Sequence, residues 1–326
     1  MQSWKLIESK KLELIEATDN DFLQDQNYAK IKISLADITS SDMGVFTGSY
    51  KYTQYPIGPG RSAVGYISES ANSYYKKGQR IFLTPYQKNK ADKTLIAGTD
   101  FDGYLANFAT VPTTRIIELP DSVKEDEAIF IDDIALAYST LSLLNVKQGE
   151  YVLLIGSSFK NIIAAQLIIY RQAIPIILDN DDNRLKIAES LGIYYTINKN
   201  LKNEKQRIKE ITSGNFVKYL IFDTDSFSDS RDILSYLGQD GKLCFMGFNK
   251  MPNALNINIA PLIKNEISII SSNTGKDHIT AAINALANSI VDVHNLIENR
   301  GELNSADKFI NELSTQCTYF KNIIKC

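Results

Sequence analysis

The sequence predicts an α/β protein in which a β-rich N-terminal part precedes a doubly wound parallel sheet. Between residues 151 and 271, short apolar runs alternate with segments of helical periodicity. Alternation of this kind is typical of a parallel sheet covered by helices on both faces. Residues 1–120 instead contain short strand-like runs separated by glycine and proline turn signals. A chain of 326 residues is long enough for two such domains.

The stretch 151–179 organises the parallel part. It reads as a strand that stops at Gly156, a helix, and a second strand that ends on Asp179. Strand, glycine turn, helix, strand and acid form the outline of a dinucleotide-binding βαβ unit. Where the fingerprint G-x-G-x-x-G has its second and third glycines, this chain has Ser158 and Asn161. The pattern therefore indicates the fold more clearly than it indicates the cofactor.

Composition and charge exclude several classes of function. The net charge is −3 and no long basic run is present, so nucleic-acid binding has little support. The N-terminal residues lack the apolar core of a secretory signal, and polar residues interrupt the most apolar window, so no membrane interaction is expected. The cysteines Cys244, Cys317 and Cys326 are scattered, which indicates neither a disulfide framework nor a metal cluster. We expect a reducing, cytoplasmic setting.

Individual elements can be placed along the chain. The segments WKLIES and KLELIEA are expected to pair as strands, and a helix is expected from Ser122 onward. Asp182 is expected to cap a helix that ends near Gly192. Further strands are predicted at IYYTI (193–197), KYLIFD (218–223), KLCFMG (242–247) and EISIIS (266–271), with helices at 205–211 and 229–237 between them.

Four segments resemble motifs of the medium-chain dehydrogenase/reductase superfamily. ADITSSDMGVFTG (36–48) resembles A-G-I-C-G-T-D-x-H-x-x-x-G, PIGPGRSAVGYI (56–67) resembles P-x-x-x-G-H-E-x-x-G-x-V, DGYLANFATVP (102–112) resembles D-G-G-Y-A-E-Y-x-x-V-P, and EAIFIDDIALAYSTL (127–141) resembles the helix that leads into the cofactor domain. The resemblance runs through nearly the whole chain. It implies a GroES-like β-barrel catalytic domain and a Rossmann dinucleotide-binding domain. The expected boundaries are 1–133 with 272–326 for the first domain and 134–271 for the second.

The same resemblance implies that both zinc sites of the family are lost. The three catalytic ligand positions, a Cys, a His and a third Cys or Glu in zinc-containing members, correspond to Thr39, Arg61 and Asp132. Threonine is a poor zinc ligand, and the fixed positive charge of Arg61 repels the metal. The acid beside the second ligand has become Ser62. Residues 85–101, where many relatives bind a structural zinc through four cysteines, contain no cysteine. No metal is therefore expected.

Arg61 and Asp132 are the first candidate catalytic residues. An ion pair between them would put an organic cation in place of the metal, and Arg61 would polarise a substrate carbonyl or bind a carboxylate or phosphate. A purely structural ion pair that fills a vacated cavity is the alternative, and the sequence does not decide whether Asp132 or Asp133 turns inward. The other candidates are Thr39 and Ser41. Ser41 stands at the family's proton-passing position, although it would equally cap a short helix or turn.

Asp179 is the main candidate cofactor ligand. It lies at the tip of the second strand, where a carboxylate accepts hydrogen bonds from a ribose hydroxyl and repels a 2′-phosphate, so NAD(H) is favoured over NADP(H). A polar turn before a capped helix would give the same sequence. Lys160 would contact a phosphate or remain solvated, and Asn161 must fit where helix and strand normally touch. The candidate cofactor-binding residues are Gly156, Ser158, Phe159, Lys160, Asp179 and Gly247.

Two functions follow from these expectations. The first is a zinc-independent, NAD(P)(H)-dependent oxidoreductase acting on a small carbonyl, alcohol or enone substrate, neutral or anionic, in the interdomain cleft that the family uses. The second is a catalytically inactive scaffold that binds a ligand or a partner. The resemblance also implies a homodimer joined through the edge strands of two cofactor-domain sheets. The apolar segment EISIIS would form that edge.

Overall fold

A computed structural model describes residues 1–16, 25–201, 203–223, 232–247, 257–316 and 318–326. The chain divides into two compact units. Unit 1 comprises residues 1–132 and 294–326, and unit 2 comprises residues 133–293. The first boundary lies one residue from the predicted one, whereas the second falls well after the predicted position at 271/272.

Helices and strands are numbered separately in chain order. The strands are β1 (Gln2–Glu8), β2 (Lys11–Glu16), β3 (Tyr28–Ile38), β4 (Ala63–Ser70), β5 (Arg80–Leu83), β6 (Tyr86–Lys88), β7 (Thr94–Ile96), β8 (Phe108–Pro112), β9 (Ile116–Glu118), β10 (Tyr151–Ile155), β11 (Ile174–Asp179), β12 (Tyr195–Asn198), β13 (Val217–Asp223), β14 (Leu237–Met246), β15 (Ser268–Ser272), β16 (Ile297–Glu302) and β17 (Lys321–Lys325). The helices are α1 (Ser40–Thr47), α2 (Glu125–Ala128), α3 (Ile131–Leu144), α4 (Phe159–Tyr170), α5 (Asp182–Ser190), α6 (Glu204–Ile211), α7 (Ala260–Lys264), α8 (Ile279–Ala287) and α9 (Ala306–Thr315).

Unit 1 is built on a seven-stranded sheet in the order β16-β17-β3-β4-β5-β9, with β8 also paired to β3. Most neighbours are antiparallel, and β3 alternates inward apolar residues such as Ile31 and Ile33 with more exposed ones, as a strand with one buried face requires. Strands β1 and β2 form a separate antiparallel pair, which confirms the pairing predicted for the first two apolar runs.

Unit 2 contains one six-stranded sheet in the order β12-β11-β10-β13-β14-β15, and every neighbouring pair in it is parallel. The prediction of a doubly wound parallel sheet is confirmed. Leu153, Ile155 and Leu220 belong to a buried core on this sheet, which explains why its strands read as continuous apolar runs. The strand order reverses between β10 and β13, and ligands of open parallel sheets bind beyond the carboxyl ends of the strands at such a point.

Three local predictions need correction. The helix expected from Ser122 begins at Glu125 and is interrupted, so that α2 and α3 are separate helices. Asp181, and not Asp182, caps α5, because its carboxylate accepts hydrogen bonds from the main-chain nitrogens of the first turn. The helix expected at 229–237 is a 3-10 turn, Ile233–Tyr236, within the described part of that range, and its earlier residues lie outside the described part.

The late second boundary has a physical cause in the contacts of residues 273–293. A Cβ added to Gly275 would lie 2.3 Å from the carbonyl carbon of Ala135, so the two backbones touch. Gln166 of α4 exchanges two hydrogen bonds with the main chain of Asp292, at 2.9 and 2.7 Å. These contacts hold α8 and its flanks on unit 2, whereas the sequence pattern predicts a return to the first domain directly after the last strand.

The cysteines that the structure describes are free thiols, of which Cys244 is buried and Cys326 is partly buried. Burial raises the pKa of Cys244 to about 12 and the pKa of Cys326 to about 12, so both remain protonated at neutral pH. Cys317 lies outside the described residues. Among the described residues, no helix has both the length and the apolar composition needed to cross a membrane. A reducing, cytoplasmic setting stays a prediction.

Candidate functional site

The segment that carries Arg61 is fixed by its glycine and its main chain. Gly60 has φ of +99°, and a Cβ there would lie 2.9 Å from the main-chain nitrogen of Leu105, so only glycine fits without strain. The Gly60 nitrogen donates to the Asp42 carboxylate at 2.8 Å. The Arg61 nitrogen donates to the carbonyl oxygen of Asp37 at 3.1 Å. These bonds place Arg61 beside the end of β3 and the start of α1.

Arg61 forms a closed cluster with Asp132 and Tyr86. Its Nε donates to Asp132 Oδ2 at 2.7 Å, and its Nη2 donates to the Tyr86 hydroxyl at 3.3 Å. The Tyr86 hydroxyl in turn donates to Asp132 Oδ1 at 2.6 Å. The ion pair that the sequence allows is therefore formed, and Asp132 is the aspartate that makes it.

The cluster keeps Arg61 protonated. The side chains of Arg61 and Asp132 are only 11% and 5% exposed. Burial alone lowers the pKa of Arg61, but the charge of Asp132 and the hydrogen bonds to Asp132 and Tyr86 outweigh it, so the pKa rises above its ordinary value. Arg61 is accordingly a permanent cation, suited to stabilising negative charge and unsuited to donating a proton.

Thr39 and Ser41 lie at the N-terminus of α1 and are partly accessible. Thr39 caps the helix, and its hydroxyl donates to Asp42 Oδ2 at 2.6 Å while lying 2.7 Å from the Ser41 hydroxyl. Asp42 is buried, and burial raises its pKa although hydrogen bonds from Thr39 and Gly60 oppose the rise. The two hydroxyls and the carboxyl form a continuous chain of exchangeable protons.

A second ion pair involves Asp37, the residue whose carbonyl oxygen accepts the Arg61 main-chain bond. Lys321 of β17 donates to Asp37 Oδ2 at 2.9 Å, and the two side chains are 1% and 2% exposed. The Ser62 hydroxyl lies 3.4 Å from the same carboxylate oxygen. In the motifs that these segments resemble, position 37 is a glycine and position 62 a glutamate. The acid missing at Ser62 is thus accompanied by an acid gained at Asp37, whose carboxylate lies beside the Ser62 hydroxyl.

The donor set of unit 1 does not fit a zinc ion. The Thr39 hydroxyl is engaged with Asp42, and Arg61 brings its positive charge to the second ligand position. Within the described ranges, no group of three or more His, Cys, Asp or Glu side chains is arranged to hold a metal. The absence of zinc nevertheless stays a prediction.

In unit 2, the turn between β10 and α4 is tied to both neighbouring strands. Gly156 has φ of +88°, which permits the tight turn. The main-chain nitrogen and the hydroxyl of Ser157 each donate to Asp179 Oδ2 at 2.6 Å. The Ser158 hydroxyl caps α4 and donates to the buried carboxylate of Asp223, at the end of β13. Two carboxylates therefore lie on either side of the turn.

Asp179 is fully buried and accepts six hydrogen bonds. Besides Ser157, its donors are the main-chain nitrogens of the next two residues and the guanidinium of Arg184, whose Nη2 lies 2.5 Å from Oδ1 and whose Nε lies 3.2 Å from Oδ2. Burial raises the pKa of Asp179, but the bonds from Arg184 and Ser157 lower it below its ordinary value. Its assignment as a ribose ligand stays a prediction.

The remaining cofactor candidates lie around the same turn. The Asn161 amide donates to the carbonyl oxygens of Ile155 and Gly156, both at 2.8 Å, so the larger side chain is accommodated by bonding the turn. Lys160 is buried and extends toward Gly247, where an added Cβ would lie 3.5 Å from the lysine Nζ. Phe159 is half-buried at the start of α4. The structure thus brings the six candidates to the carboxyl ends of the strands in the sheet of unit 2.

Comparison with known proteins identifies the family. Residues 25–121 match the family described as alcohol dehydrogenase GroES-like domain, and residues 162–288 match the family described as zinc-binding dehydrogenase. The chain belongs to the medium-chain dehydrogenase/reductase superfamily. The superfamily assignment from sequence motifs is confirmed, as is the pairing of a GroES-like domain with a Rossmann sheet.

Relatives of this superfamily member are distant in sequence. An uncharacterized zinc-type alcohol dehydrogenase-like protein from Haemophilus influenzae is 25% identical over 314 residues, which cover 92% of this chain and 89% of that protein. A solved alcohol dehydrogenase from E. coli CFT073 in complex with NADH is 18% identical, with a TM-score of 0.85 over 100% of this chain and 99% of that one. A protein from Sinorhizobium meliloti 1021 assigned to the zinc-binding dehydrogenases and bound to NADP is 16% identical, with a TM-score of 0.86 over 100% and 99% of the two chains. At such identities the solved structures establish the fold.

Three residues of this superfamily member matter to the sites and are missed by motif reasoning. Tyr86 contacts Arg61 and Asp132, which lie on other elements, so sequence spacing does not reveal these partners. Arg184 follows three polar residues at the start of α5, where an arginine is usually solvated, yet its side chain is buried. Asp37 carried a usable signal, since an acid gained at one motif position and lost at another suggests an exchange between neighbouring strands.

Proposed function

We propose that the protein is a zinc-independent oxidoreductase that uses a nicotinamide dinucleotide, NAD(H) in preference to NADP(H), on a small carbonyl, alcohol or enone substrate. The proposal rests on the cluster of Arg61, Asp132 and Tyr86. Arg61 and Asp132 correspond to metal-ligand positions of the family, and Arg61 is a permanent cation there. Superfamily membership supports the reaction type. The related structures solved with NADH and with NADP support the cofactor class.

The residues of unit 2 fit a dinucleotide on one condition. Gly156 provides the turn, and α4 offers its N-terminus to a pyrophosphate. Asp179 lies where a ribose would be bound, yet its oxygens already accept bonds from Arg184 and Ser157. Arg184 must therefore turn away from Asp179, or share it, before ribose hydroxyls can bind there. The acidic residues that follow Asp179 support NAD(H), because they disfavour a 2′-phosphate.

The bound dinucleotide would supply or accept the hydride. Arg61 would stabilise the negative charge that develops on the substrate oxygen, since Asp132 and Tyr86 hold its guanidinium in a fixed orientation. Ser41 would pass a proton along its hydrogen bond to Thr39, whose hydroxyl is already bonded to Asp42. The raised pKa of Asp42 suits a group that takes up and returns that proton.

Calorimetric titration of metal-stripped protein with NADH, and separately with NADPH, tests the proposed cofactor. We expect micromolar binding of NADH and much weaker binding of NADPH. Oxidation of NADH with a panel of small ketones and enones, in the presence of a chelator, then tests the reaction. No binding of either dinucleotide would overturn the oxidoreductase proposal, and turnover that a chelator abolishes would overturn its zinc-independence.

A catalytically inactive scaffold is the second candidate. The observation in its favour is the state of the nucleotide turn, where Ser158 bonds Asp223 and the Asp179 carboxylate is filled by protein donors. The buried carboxylates of Asp179 and Asp223 lie beside the turn that would bind a pyrophosphate, and their negative charge would oppose the binding of an anion. The titration distinguishes the candidates, because a scaffold would show neither heat nor a thermal shift with NADH.

A homodimer through β15 forms part of the proposal. In the sheet of unit 2, β15 is the last strand and pairs only with β14 among the described residues. Ile269 on this edge is 43% exposed, and Ile263 of α7 is 72% exposed. A second copy related by a two-fold axis would cover the edge, because an antiparallel strand pair is self-complementary. Ile269→Lys should yield monomers by analytical ultracentrifugation, whereas a wild-type protein that sediments as a monomer would refute the dimer.

A further inference from the structure

Two of the five guanidinium N–H groups of Arg61 have acceptors. The donors in use, Nε and one hydrogen of Nη2, lie on the side of the guanidinium that faces Asp132 and Tyr86. A guanidinium carries five such donors. The remaining ones, on Nη1 and Nη2, have no acceptor among the residues that the structure describes. The guanidinium group is a planar fork, and these N–H groups form its free end, the part that is not bonded to Asp132 or Tyr86.

The free end of the fork is open to a ligand. Several described residues have polar side-chain atoms that are buried and lack a hydrogen-bond partner. No atom of Arg61 is among them. Nη1, which has no acceptor among the described residues, is therefore not sealed from solvent. A charged group with unfilled donors in an 11% exposed side chain gains from any acceptor that reaches it. Two parallel N–H groups on a planar fork match two oxygens held side by side.

We propose that the substrate is a small 2-oxo acid, whose carbonyl oxygen and one carboxylate oxygen bind together to the free end of the Arg61 fork. This inference rests on the proposed oxidoreductase function and names its substrate class. The carbonyl and carboxylate oxygens of a 2-oxo acid lie on adjacent carbons and present a side-by-side pair. Asp132 already balances the charge of Arg61, which favours a monoanion over a phosphate dianion.

The reaction balances with the groups named. A bound reduced nicotinamide would supply the hydride to the carbonyl carbon, and the carbonyl π-electron pair would move to the oxygen. The Ser41 hydroxyl, which is hydrogen-bonded to Thr39, would give that oxygen a proton and would regain one from solvent, to which it is partly accessible. The products are the 2-hydroxy acid and the oxidised nicotinamide, and the carboxylate is unchanged. Arg61 would stabilise the developing alkoxide and hold the carboxylate so that the carbonyl carbon has one orientation.

Binding of three matched probes, measured by calorimetry without any dinucleotide, tests the inference. The probes are 2-oxobutyrate, 2-butanone, which lacks the carboxylate, and butyrate, which lacks the carbonyl. We expect 2-oxobutyrate to bind at least about tenfold more tightly than either of the others, since each of them loses one contact to the fork. Equal binding of 2-oxobutyrate and 2-butanone would overturn the proposal.

Variants of the cluster locate the binding. Arg61→Lys keeps a positive charge but loses the fork, and we expect it to weaken 2-oxobutyrate binding by about tenfold or more. Arg300→Met is the control, because Arg300 forms an exposed ion pair with Asp126 in the same unit. It should leave binding unchanged. If an Arg61 variant fails to fold, the double variant Arg61→Met/Asp132→Leu removes both charges, and 2-oxobutyrate binding retained in it would overturn the proposal.

Failure of this inference is distinguishable from failure of the proposed function. NADH oxidation with 2-butanone but not with 2-oxobutyrate would uphold the oxidoreductase and overturn the substrate class. Binding of 2-oxobutyrate that depends on Arg61, in a protein that binds no dinucleotide, would uphold the anion site and overturn the reaction.

Discussion

Two buried arginine–aspartate pairs, one in each unit, share the same chemistry and differ in how many of their hydrogen-bonding positions are filled. In unit 2, Asp179 accepts six bonds, and Arg184 meets it with two nitrogens. In unit 1, Arg61 meets Asp132 with one nitrogen and Tyr86 with another, and the end of its fork has no acceptor among the described residues. Both arginine side chains are 11% exposed.

Burial and charge do not by themselves mark a binding group. In a filled pair, the hydrogen bonds and the attraction between the charges offset the free-energy cost of removing both groups from water. Such a pair gains nothing from a ligand and behaves as a structural ion pair. A partly filled pair retains donors that gain from an incoming ligand. On this reasoning Arg61 is the stronger candidate for contact with substrate. Asp179 can bind a ribose only if Arg184 turns away from it or shares it.

The largest expected effect comes from breaking the filled pair. Arg184→Met leaves the Asp179 carboxylate buried without its charge partner, and we expect a loss of about 3–5 kcal/mol in the free energy of unfolding at neutral pH. Urea denaturation measures it. Arg184→Lys is the matched control, since it keeps the charge and loses the two-nitrogen contact, and it should lose clearly less. Equal losses in both variants would mean that the geometry alone, and not the charge, stabilises the pair.

The pH dependence sharpens the same contrast. The pKa of Asp179 is lowered in the folded protein, so its contribution is fully present above the ordinary value of 3.8 and is lost as the pH falls through that value toward the folded pKa. The difference in unfolding free energy between wild type and Arg184→Met should accordingly be largest at neutral pH and shrink at about pH 3. A difference that stays constant or grows on acidification would contradict an ionised Asp179.

Breaking the open pair should cost less. Arg61→Met takes one hydrogen bond from Asp132, which keeps the bond from Tyr86, whereas Arg184→Met takes two from Asp179, so we expect a smaller loss of about 1–3 kcal/mol. The double variant Arg61→Met/Asp132→Leu should lie within about 1 kcal/mol of wild type, because it leaves no buried charge unpaired. Urea denaturation of the complete double-mutant cycle tests both statements. A double variant as unstable as Arg184→Met would make the Arg61 pair structural.

The smallest expected effect is that of Tyr86→Phe. It removes one hydrogen bond to Asp132 and one from Arg61 and keeps the ring in place, so the free energy of unfolding should fall by about 0.5–1.5 kcal/mol. The stronger readout is binding of 2-oxobutyrate, which should weaken because the fork loses one of its two fixed points. Unchanged binding would show that Asp132 alone orients Arg61.

Much of the fold could be predicted because its signals are local. The strands of unit 2 are buried on both faces, so apolar runs such as 151–155 and 218–223 locate them within about a residue or two. The boundary after β15 could not be predicted, since it depends on Gly275 and Gln166 contacting residues far along the chain. The choice of Asp181 over Asp182 as helix cap likewise depends on backbone geometry that neighbouring acids do not reveal.

The candidate site could be predicted only in part. Motif positions selected Arg61 and Asp132, and the structure joins them. Tyr86 and Arg184 could not be found, because their partners are set by strand register and by side-chain direction. Whether an arginine has unfilled donors is a property of all its neighbours together. That property decides the roles proposed for the two pairs, and no spacing rule supplies it.

The position of β17 has a consequence for the order in which the two units are made. This strand lies between β16 and β3 in the sheet of unit 1, and its Lys321 is bonded to Asp37 from the opposite end of the sequence. Residues 1–132 leave the ribosome first, yet their sheet lacks an interior strand until residues 321–325 have been synthesised. Unit 2 is continuous in sequence and can fold earlier. Unit 1 is thus begun before unit 2 but completed after it, and its incomplete sheet is exposed to aggregation while unit 2 folds.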